Sequence, residues 1–252
     1  MAQTVDAALI IIGNEVLSGR VQDANVRYIA LKLNDAGIRL REVRVIGDFE
    51  DAIIDTVNSL RATHAYVFTT GGIGPTHDDI TSECIAKAFG VPLKRDPRAV
   101  ECLLRQIKPE NLNEARLRMA NIPEGGTLID NPISHAPGFS IGNVYVMAGI
   151  PRIMQAMFDG VVATLNGGLP LLSRSVTLFA GEGTIATPLA RIQQGAPDVE
   201  IGSYPFMREG RFGAVIVLRV TDAARLAAVA AEVVTMAETL GVDARDGDLP
   251  PA

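Results

Sequence analysis

The chain has 252 residues, of which 48% are hydrophobic and 21% charged, and these proportions exclude a disordered chain, a collagen and a long coiled coil. Its apolar runs are far shorter than the ~20 residues of a membrane span, and no basic stretch precedes the first, so we expect a cytoplasmic protein without a secretory signal or membrane contact. The net charge of −6 argues against nucleic acid as a partner, because the phosphate backbone selects Lys and Arg.

The first two thirds of the chain alternate between strand-like and helix-like patterns. Short apolar runs predict buried strands, and apolar residues spaced by three and four predict amphipathic helices. The predicted strands cover residues 7–12, 38–46, 65–70, 128–129, 138–141 and 144–147, and the predicted helices lie around residues 26–36, 53–60, 79–89, 97–120 and 151–165. Such an alternation predicts a three-layer α/β/α doubly wound domain with a mainly parallel sheet.

Residues 166–170 read as a linker, and the pattern changes after them. We expect a first domain over residues 1–168 and a small α+β domain, with the order β-α-β-β-α, over residues 169–252. Asp222 is predicted to cap the last helix, which carries one apolar stripe typical of core packing. The tail from residue 243 onward is expected to be loose.

A glycine-rich loop follows the third predicted strand, in the sequence Thr70-Gly71-Gly72-Ile73-Gly74-Pro75. Glycines there allow a sharp turn and close approach of the backbone to a ligand, and the following helix N-terminus favours phosphate. A tight turn would explain the glycines equally well. Asp78 and Asp79 come next, and two adjacent carboxylates beside a phosphate site can hold Mg²⁺, although they could also cap the helix.

Three further loops follow strands of the same predicted sheet. In doubly wound sheets, ligands bind at the carboxyl ends of strands, so all four loops should meet at one edge. The loop from Gly13 to Asn25 is rich in polar residues and longer than a simple connection. Asp48 follows the second strand, where it could approach Asp79 or cap the next helix. The fourth loop contains Gly149 and Pro151 at a helix start.

Other common chemistries have no counterpart in the sequence. The three histidines are scattered without zinc-site spacing, and no serine has an evident His/Asp partner. Cys84 and Cys102 lack C-x-x-C spacing, so we interpret them as free thiols in a reducing compartment.

These motifs together resemble a known family. Residues 71–81 resemble the G-G-x-G-P-x-x-D-D-x-T signature of the molybdopterin-binding (molybdenum cofactor biosynthesis) domain, and more narrowly that of the competence/damage-inducible protein A (CinA) branch. Residues 13–25, the segment Asn131–Phe139 and the Gly202-Ser203-Tyr204-Pro205 sequence agree with that branch. The similarity covers essentially the whole chain. Full-length CinA proteins carry a further amidohydrolase domain, which would begin where this chain ends, so we predict no amidase activity.

The resemblance implies a site that binds a pterin or a nucleotide diphosphate over the strand ends. Two aspartates critical in related enzymes fall on Asp48 and Asp79, which are the predicted catalytic residues. The predicted metal ligands are Asp48, Asp78 and Asp79, with Mg²⁺ favoured and Co²⁺ or Mn²⁺ as alternatives. The predicted substrate-binding residues are Gly13, Asn14, Glu15, Ser18, Asp23, Asn25, Thr70, Gly71, Gly72, Gly74, Pro75, Thr81, Gly149 and Pro151. Relatives form dimers or trimers, so a homo-oligomer is expected.

Three functions remain open from the sequence. The first is a metal-dependent hydrolase of a nucleotide pyrophosphate such as ADP-ribose or FAD. The second is a molybdopterin adenylyltransferase, and the third is a non-catalytic module that binds a pterin or nucleotide. The aspartate pair weighs against the third function. The second is disfavoured by the fourth loop, which lacks the first Pro of the family's P-G-x-P at Ala148 and a polar residue at Met154, and by the small CinA-type domain.

Overall fold

The structure is a computed structural model that describes residues 5–208 and 210–248. The chain divides into two compact units, Met1–Leu169 and Pro170–Ala252. Each unit has its own hydrophobic core. No helix among the described residues is long and apolar enough to cross a membrane.

The larger unit is a mixed α/β domain. Its strands are β1 (Val5–Ile12), β2 (Ile38–Ile46), β3 (Tyr66–Thr70), β4 (Leu93–Arg95), β5 (Asn121–Pro123), β6 (Thr127–Ile129), β7 (Gly138–Ile141) and β8 (Val144–Met147). Its α-helices are α1 (Asn14–Leu17), α2 (Asn25–Asp35), α3 (Glu50–Arg61), α4 (Thr81–Phe89), α5 (Pro97–Leu104), α6 (Glu114–Leu117) and α7 (Pro151–Val162). Two short 3₁₀ turns cover Pro109–Asn111 and Arg118–Ala120.

Six strands form the central sheet, in the order β2-β1-β3-β8-β7-β6. The first four strands are parallel to one another, while β7 and β6 continue the sheet as an antiparallel meander. The expected mainly parallel, doubly wound sheet is therefore confirmed. Since β1, β2, β3 and β8 point the same way, the loops that follow them leave the sheet at one edge.

Strand β1 shows how the sheet is buried on both faces. Ala8, Ile10 and Ile12 face the core made with α3, α4 and α5, whereas Leu9 and Ile11 face the core made with α2 and α7. Successive side chains of a strand point to opposite faces, so a continuous apolar run is what a strand between two helical layers requires. This arrangement gives the three layers predicted from the sequence.

Two helix predictions need correction. Residues 97–120 do not form continuous helix but break into α5, a 3₁₀ turn, the single-turn helix α6 and a second 3₁₀ turn. Pro109 and the side chain of Asn113 explain the breaks, because proline interrupts the helical hydrogen bonds and Asn113 caps α6 through the Arg116 N–H. The helix expected from residue 79 begins at Thr81.

The smaller unit is a two-layer α+β structure. It consists of β9 (Leu172–Leu178), α8 (Glu182–Gly195), β10 (Glu200–Arg208), β11 (Arg211–Val220), α9 (Ala223–Thr239) and β12 (Ala244–Asp246). Its antiparallel sheet has the order β10-β11-β9-β12. Asp222 caps α9 as predicted, by accepting the Arg225 N–H at 2.9 Å.

The tail was expected to be loose, and for residues 244–246 that expectation is wrong. Strand β12 pairs with β9, and Arg174 binds Asp246 through two hydrogen bonds of 3.0 and 2.9 Å. Residues 249–252 lie outside the described residues. Both cysteines are free, and burial raises the pKa of the Cys84 thiol to about 11, which keeps it protonated at neutral pH.

Candidate active site at the carboxyl edge of the sheet

The glycine loop after β3 has a backbone that only glycine adopts easily. Gly71 and Gly72 have φ values of 105° and 68°. A Cβ atom on Gly71 would overlap the Ile12 carbonyl oxygen, and one on Gly72 would overlap the Thr81 hydroxyl. The loop therefore packs against the end of β1 and the start of α4 more closely than any side chain permits.

Thr81 closes this loop onto itself. Its hydroxyl donates to the Gly71 carbonyl at 3.1 Å, and its N–H donates to the Gly72 carbonyl at 3.0 Å. The Gly71 N–H also donates to the Met147 carbonyl at 3.1 Å, which ties the loop to the end of β8. Both ends of the loop are thus fixed, and residues 73–80 form the tip between them.

The two aspartates of the tip share one partner, Thr76. Asp79 Oδ2 accepts the Thr76 N–H at 2.8 Å and lies 2.6 Å from the Thr76 hydroxyl, which is also 2.6 Å from Asp78 Oδ1. The hydroxyl has one hydrogen and can donate to only one carboxylate at a time. Its hydrogen bond holds the pKa of Asp78 below its usual range, so this carboxylate is charged at neutral pH.

Neither aspartate caps α4. The residue that precedes the helix is Ile80, and no side chain accepts a hydrogen bond from the helix start. A Cβ added to Gly74 would lie 2.6 Å from Asp79 Oδ2, so this carboxylate rests directly against the loop backbone. The acidic pair is thus part of the glycine loop rather than of the helix.

Asp48 has a role that its position in the sequence did not indicate. Its Oδ2 accepts the Asn14 N–H at 2.9 Å, and Phe49, not Asp48, precedes α3. The carboxylate therefore connects the second loop to the first instead of capping the helix. The Gly13 N–H donates to the Ile46 carbonyl at 3.0 Å beside it, which continues the pairing of β1 with β2.

Asn25 connects the first loop to the fourth. Only 3% of this residue is exposed, and its Nδ2 donates to the Gly149 carbonyl at 2.8 Å. Gly149 in turn lies against Gly71, since a Cβ on Gly149 would be 3.2 Å from the Gly71 Cα. The contacts from Asp48 through Asn14 and from Asn25 through Gly149 to Gly71 join all four loops into one assembly.

The other predicted substrate-binding residues lie on these loops. The Glu15 carboxylate folds back over Gly13, and the Ser18 hydroxyl donates to the Glu15 carbonyl at 3.2 Å. Asp23 Oδ1 accepts the Val26 N–H at 2.9 Å and so stabilises the start of α2. Thr70 is buried and its hydroxyl has no partner among the described residues. Pro75 is exposed on the loop tip, and Pro151 is the first residue of α7.

The predicted metal ligands do not form one cluster. Among the described residues, no group of three or more His, Cys, Asp and Glu side chains is arranged to hold a metal ion. Asp78 and Asp79 are adjacent, whereas Asp48 is engaged on the first loop. Such a pair fits Mg²⁺, which often takes one or two protein carboxylates and completes its shell with water and substrate phosphates.

Two residues at this edge were missed by sequence reasoning. Phe49 is 63% exposed, and its ring lies over Gly47, where a Cβ would be 2.7 Å from Phe49 Cε2. Arg118 donates from its guanidinium to the Asp79 carbonyl at 3.2 Å and lines a small cavity with Gly74 and Asp79. Phe49 has a sequence signal, since it is an aromatic residue in a loop that follows a strand. Nothing in the sequence links Arg118 to a loop 39 residues away.

Comparison with known proteins identifies the larger unit. The family described as "Probable molybdopterin binding domain" matches residues 8–170. A protein of Archaeoglobus fulgidus is 35% identical over 197 residues, which are 78% of this chain and 84% of that protein. The chain belongs to the molybdopterin-binding domain family. The resemblance seen in the sequence is thereby confirmed.

The CinA branch of the family is also supported. A CinA-like protein of Desulfosudis oleivorans is 34% identical over 209 residues, and the match covers 78% of this chain but only 51% of that protein. The crystal structure of the protein CinA from Thermoplasma acidophilum, of unknown function, matches with a TM-score of 0.58 and 32% identity, over 62% of this chain and 96% of that one. Residues 170–245 match the family described as "FAD synthase, middle domain".

Proposed function

We propose that this member of the family binds a nucleotide or pterin diphosphate at the carboxyl edge of the sheet and hydrolyses a nucleotide pyrophosphate such as ADP-ribose or FAD. The observation that carries the proposal is the set of contacts that joins the four loops around Gly71 and Gly72. Loops fixed to one another in this way present polar groups to one ligand in a preformed geometry, which is what binding of a defined substrate requires.

The diphosphate is expected to bind at the glycine loop. Backbone N–H groups before a helix N-terminus attract phosphate oxygens, and the positive φ values of Gly71 and Gly72 give the tight turn that places the loop in front of α4. Arg118, which contacts this loop through the Asp79 carbonyl, adds a fixed positive charge nearby. A guanidinium is well suited to bind phosphate oxygens.

A divalent metal, with Mg²⁺ favoured and Mn²⁺ or Co²⁺ as alternatives, would be held by Asp78 and Asp79 together with the phosphates of the substrate. When bound, the metal would offset the negative charge that builds up on the phosphoryl oxygens. The low pKa of Asp78 keeps a negative charge available for it. The shared Thr76 contact holds the two carboxylates close to each other.

Asp48 is proposed to orient the attacking water. Its Oδ2 is occupied by the Asn14 N–H, which leaves Oδ1 to accept a hydrogen bond from water. The water oxygen forms a bond to one phosphorus, the bond from that phosphorus to the bridging oxygen breaks, and the bridging oxygen leaves on the other phosphate with the electron pair. The water proton passes to Asp48 and then to solvent, so that two phosphate monoesters result.

The ring and ribose of the substrate, at the end away from the glycine loop, are expected to contact the first two loops. The exposed ring of Phe49 can stack on a base, flavin or pterin ring. Asn14, Glu15, Ser18 and Asp23 supply polar groups for a ribose or a ring edge. Stacking on one side and phosphate binding on the other would select substrates that carry both a planar ring and a diphosphate.

Adenylylation of molybdopterin is the second candidate, and the family description, which names molybdopterin as the bound molecule, is compatible with it. It would use the same phosphate-binding loop, but the group that attacks phosphorus would be a phosphate oxygen of the pterin rather than water. Both reactions need the aspartates and the glycine loop. In adenylylation the pterin phosphate oxygen would bond to the α-phosphorus of ATP and pyrophosphate would leave, whereas in hydrolysis water attacks the substrate diphosphate and a phosphate monoester leaves.

The test is a hydrolysis screen of the purified chain. ADP-ribose, FAD, NAD and ATP would each be incubated with Mg²⁺, Mn²⁺ or Co²⁺, and products separated by chromatography. We expect metal-dependent formation of AMP from at least one diphosphate. In Asp79→Asn, turnover should fall by about 100-fold or more because the metal loses a charged ligand.

Asp55→Asn is the matched control, since Asp55 is an exposed carboxylate on α3. It should keep full activity, and circular dichroism should show that both variants fold. Hydrolysis unchanged in Asp79→Asn would overturn the site. No turnover of any substrate would overturn the hydrolase and leave adenylylation to be tested with molybdopterin and ATP.

A further inference from the structure

The smaller unit has a sheet face that its helices leave uncovered. Helices α8 and α9 pack on the face that carries Ile216 and Leu218. The alternate residues of β11 point the other way, and with their neighbours on β10 they line a cavity of about 440 Å³. Its lining residues are Tyr204, Phe206, Arg208, Val215, Val217, Arg219 and Asp248.

Two aromatic rings lie over glycines on this face. A Cβ on Gly202 would be 2.8 Å from Tyr204 Cε2, and a Cβ on Gly213 would be 2.7 Å from Phe206 Cζ. Gly213 is the direct partner of Phe206 across the two strands. Each ring thus lies over a glycine; the Phe206 ring packs edge-to-face with Phe179 at 5.8 Å between centroids, and Tyr204 remains 49% exposed. Exposed ring faces bind other planar rings by stacking.

Positive charge borders the rings. Arg219 and Arg208 both line the cavity, and over the part of the chain that the structure describes the Arg219 guanidinium has no ion-pair partner. Glu200 lies opposite Arg219 in the register of β10 and β11. A half-buried guanidinium without a carboxylate partner is suited to bind a phosphate of a ligand.

Asp248 completes the chemistry of the cavity. A carboxylate repels phosphate but accepts hydrogen bonds from sugar hydroxyls, as acidic residues do in nucleotide-binding sites. Rings for stacking, a guanidinium for phosphate and a carboxylate for hydroxyls together match a nucleoside monophosphate. The aliphatic side chains of Val215 and Val217 lie between them.

We infer that the open sheet face of the smaller unit is a second binding site, which takes a nucleoside monophosphate with its base on Tyr204 and Phe206 and its phosphate on Arg219. This site lies entirely within the smaller unit. It shares no residue with the proposed catalytic site, so it stands or fails independently of the proposed function.

The experiment uses fluorescence in the full chain. The chain contains no tryptophan, so Tyr204→Trp introduces one emitter at the proposed site while keeping a planar ring. We expect AMP to quench this emission saturably, with a weaker response to adenosine, which lacks the phosphate. Adding Arg219→Gln should raise the Kd of AMP about tenfold, the equivalent of ~1.4 kcal/mol, and leave adenosine binding unchanged.

Two further variants make the result decisive. Arg191→Gln, a cation on α8, should leave the Kd of AMP unchanged, and so should Asp79→Asn in the larger unit. Circular dichroism would confirm that each variant folds. Three results would each overturn the inference: no saturable quenching by AMP, equal affinity for AMP and adenosine, or loss of the signal in Asp79→Asn, which would trace it to the larger unit.

Discussion

Glycine serves opposite purposes in the two units of this chain. In the loop after β3, Gly71 and Gly72 take positive φ values, and the atoms that would meet a Cβ there include the backbone of Ile12. On the sheet of the smaller unit, Gly202 has no positive φ, and the atoms that a Cβ would meet belong to the ring of Tyr204. The backbone conformation at Gly71 and Gly72 therefore requires glycine, whereas at Gly202 the missing side chain leaves space for the Tyr204 ring.

This difference predicts how each region responds to substitution. A backbone carbonyl cannot move without disturbing β1, so a side chain at Gly71 must strain the fold. The end of a tyrosine side chain can rotate at little cost. Loss of Gly71 should therefore damage stability at the carboxyl edge of the larger sheet, whereas loss of Gly202 should affect only ligand binding at the open sheet face.

The largest effect is expected for Gly71→Ala. Its φ of 105° and the overlap with Ile12 should lower the free energy of unfolding by about 3 kcal/mol. Gly90→Ala is the control, because Gly90 also has a positive φ, 65°, but no atom lies within 4 Å of the added Cβ. It should cost about 1 kcal/mol. Urea denaturation would measure both values, and equal losses would show that the contact with β1 is unimportant.

Asn25→Ala should have the next largest effect. It removes the buried hydrogen bond to the Gly149 carbonyl and should lower the free energy of unfolding by about 2 kcal/mol. The same substitution should reduce turnover, because the first and fourth loops lose their connection. Asn166→Ala is the control, since Asn166 is exposed and its hydrogen bonds with the Tyr66 hydroxyl use its backbone atoms. An Asn25→Ala protein with normal stability and activity would break the argument that the loops form one assembly.

Phe49→Ala tests whether the Phe49 ring binds the substrate at the carboxyl edge of the sheet. Loss of a stacking ring should raise the KM for a ring-containing diphosphate about tenfold and change kcat less than about twofold. Phe212→Ala is matched in type and exposure, 58% against 63%, and should leave both constants unchanged. Steady-state kinetics with the substrate found in the screen would decide. A fall in kcat alone would mean that Phe49 positions the reacting groups instead.

The smallest change in stability is expected for Gly202→Ala. The added methyl displaces the Tyr204 ring, so the free energy of unfolding should change by less than about 0.5 kcal/mol. In the Tyr204→Trp background, however, adding Gly202→Ala should raise the Kd of AMP about threefold, because the added methyl displaces the ring on which the base stacks. Gly183→Ala on α8, where the added Cβ meets no atom within 4 Å, should not alter it. Marked destabilisation by Gly202→Ala would remove the contrast between the two kinds of glycine.

Much of the larger unit could be predicted from the sequence. A strand buried on both faces must be apolar at every position, as residues 7–12 are, and a helix on one face must repeat its apolar residues every three or four positions. These local requirements fixed the order of the main strands and helices. They also predict a binding site at the loops of the carboxyl edge, because parallel pairing alone places those loops at one edge of the sheet.

The missed features depend on distant contacts. The Asp48 side chain lies on the second loop, yet its partner is an N–H of the first, 34 residues away. Arg118 meets the glycine loop only because β5, which follows the irregular segment 97–120, contacts α4. The positions of the Tyr204 and Phe206 rings depend on which glycine lies beneath each, and for Phe206 that glycine is set by the strand register. Local patterns contain no information on such pairings.

The closure made by Thr81 has a consequence for how this domain tolerates changes in the glycine loop. Its hydroxyl and N–H hold the two ends of the glycine loop together, so residues 73–80 can change in length or composition without altering the strand or helix on either side. Lengthening a loop whose ends are already fixed costs little entropy. The tip carries Asp78 and Asp79, so a grafted replacement that lacks them should remove the proposed activity while the rest of the domain keeps its fold.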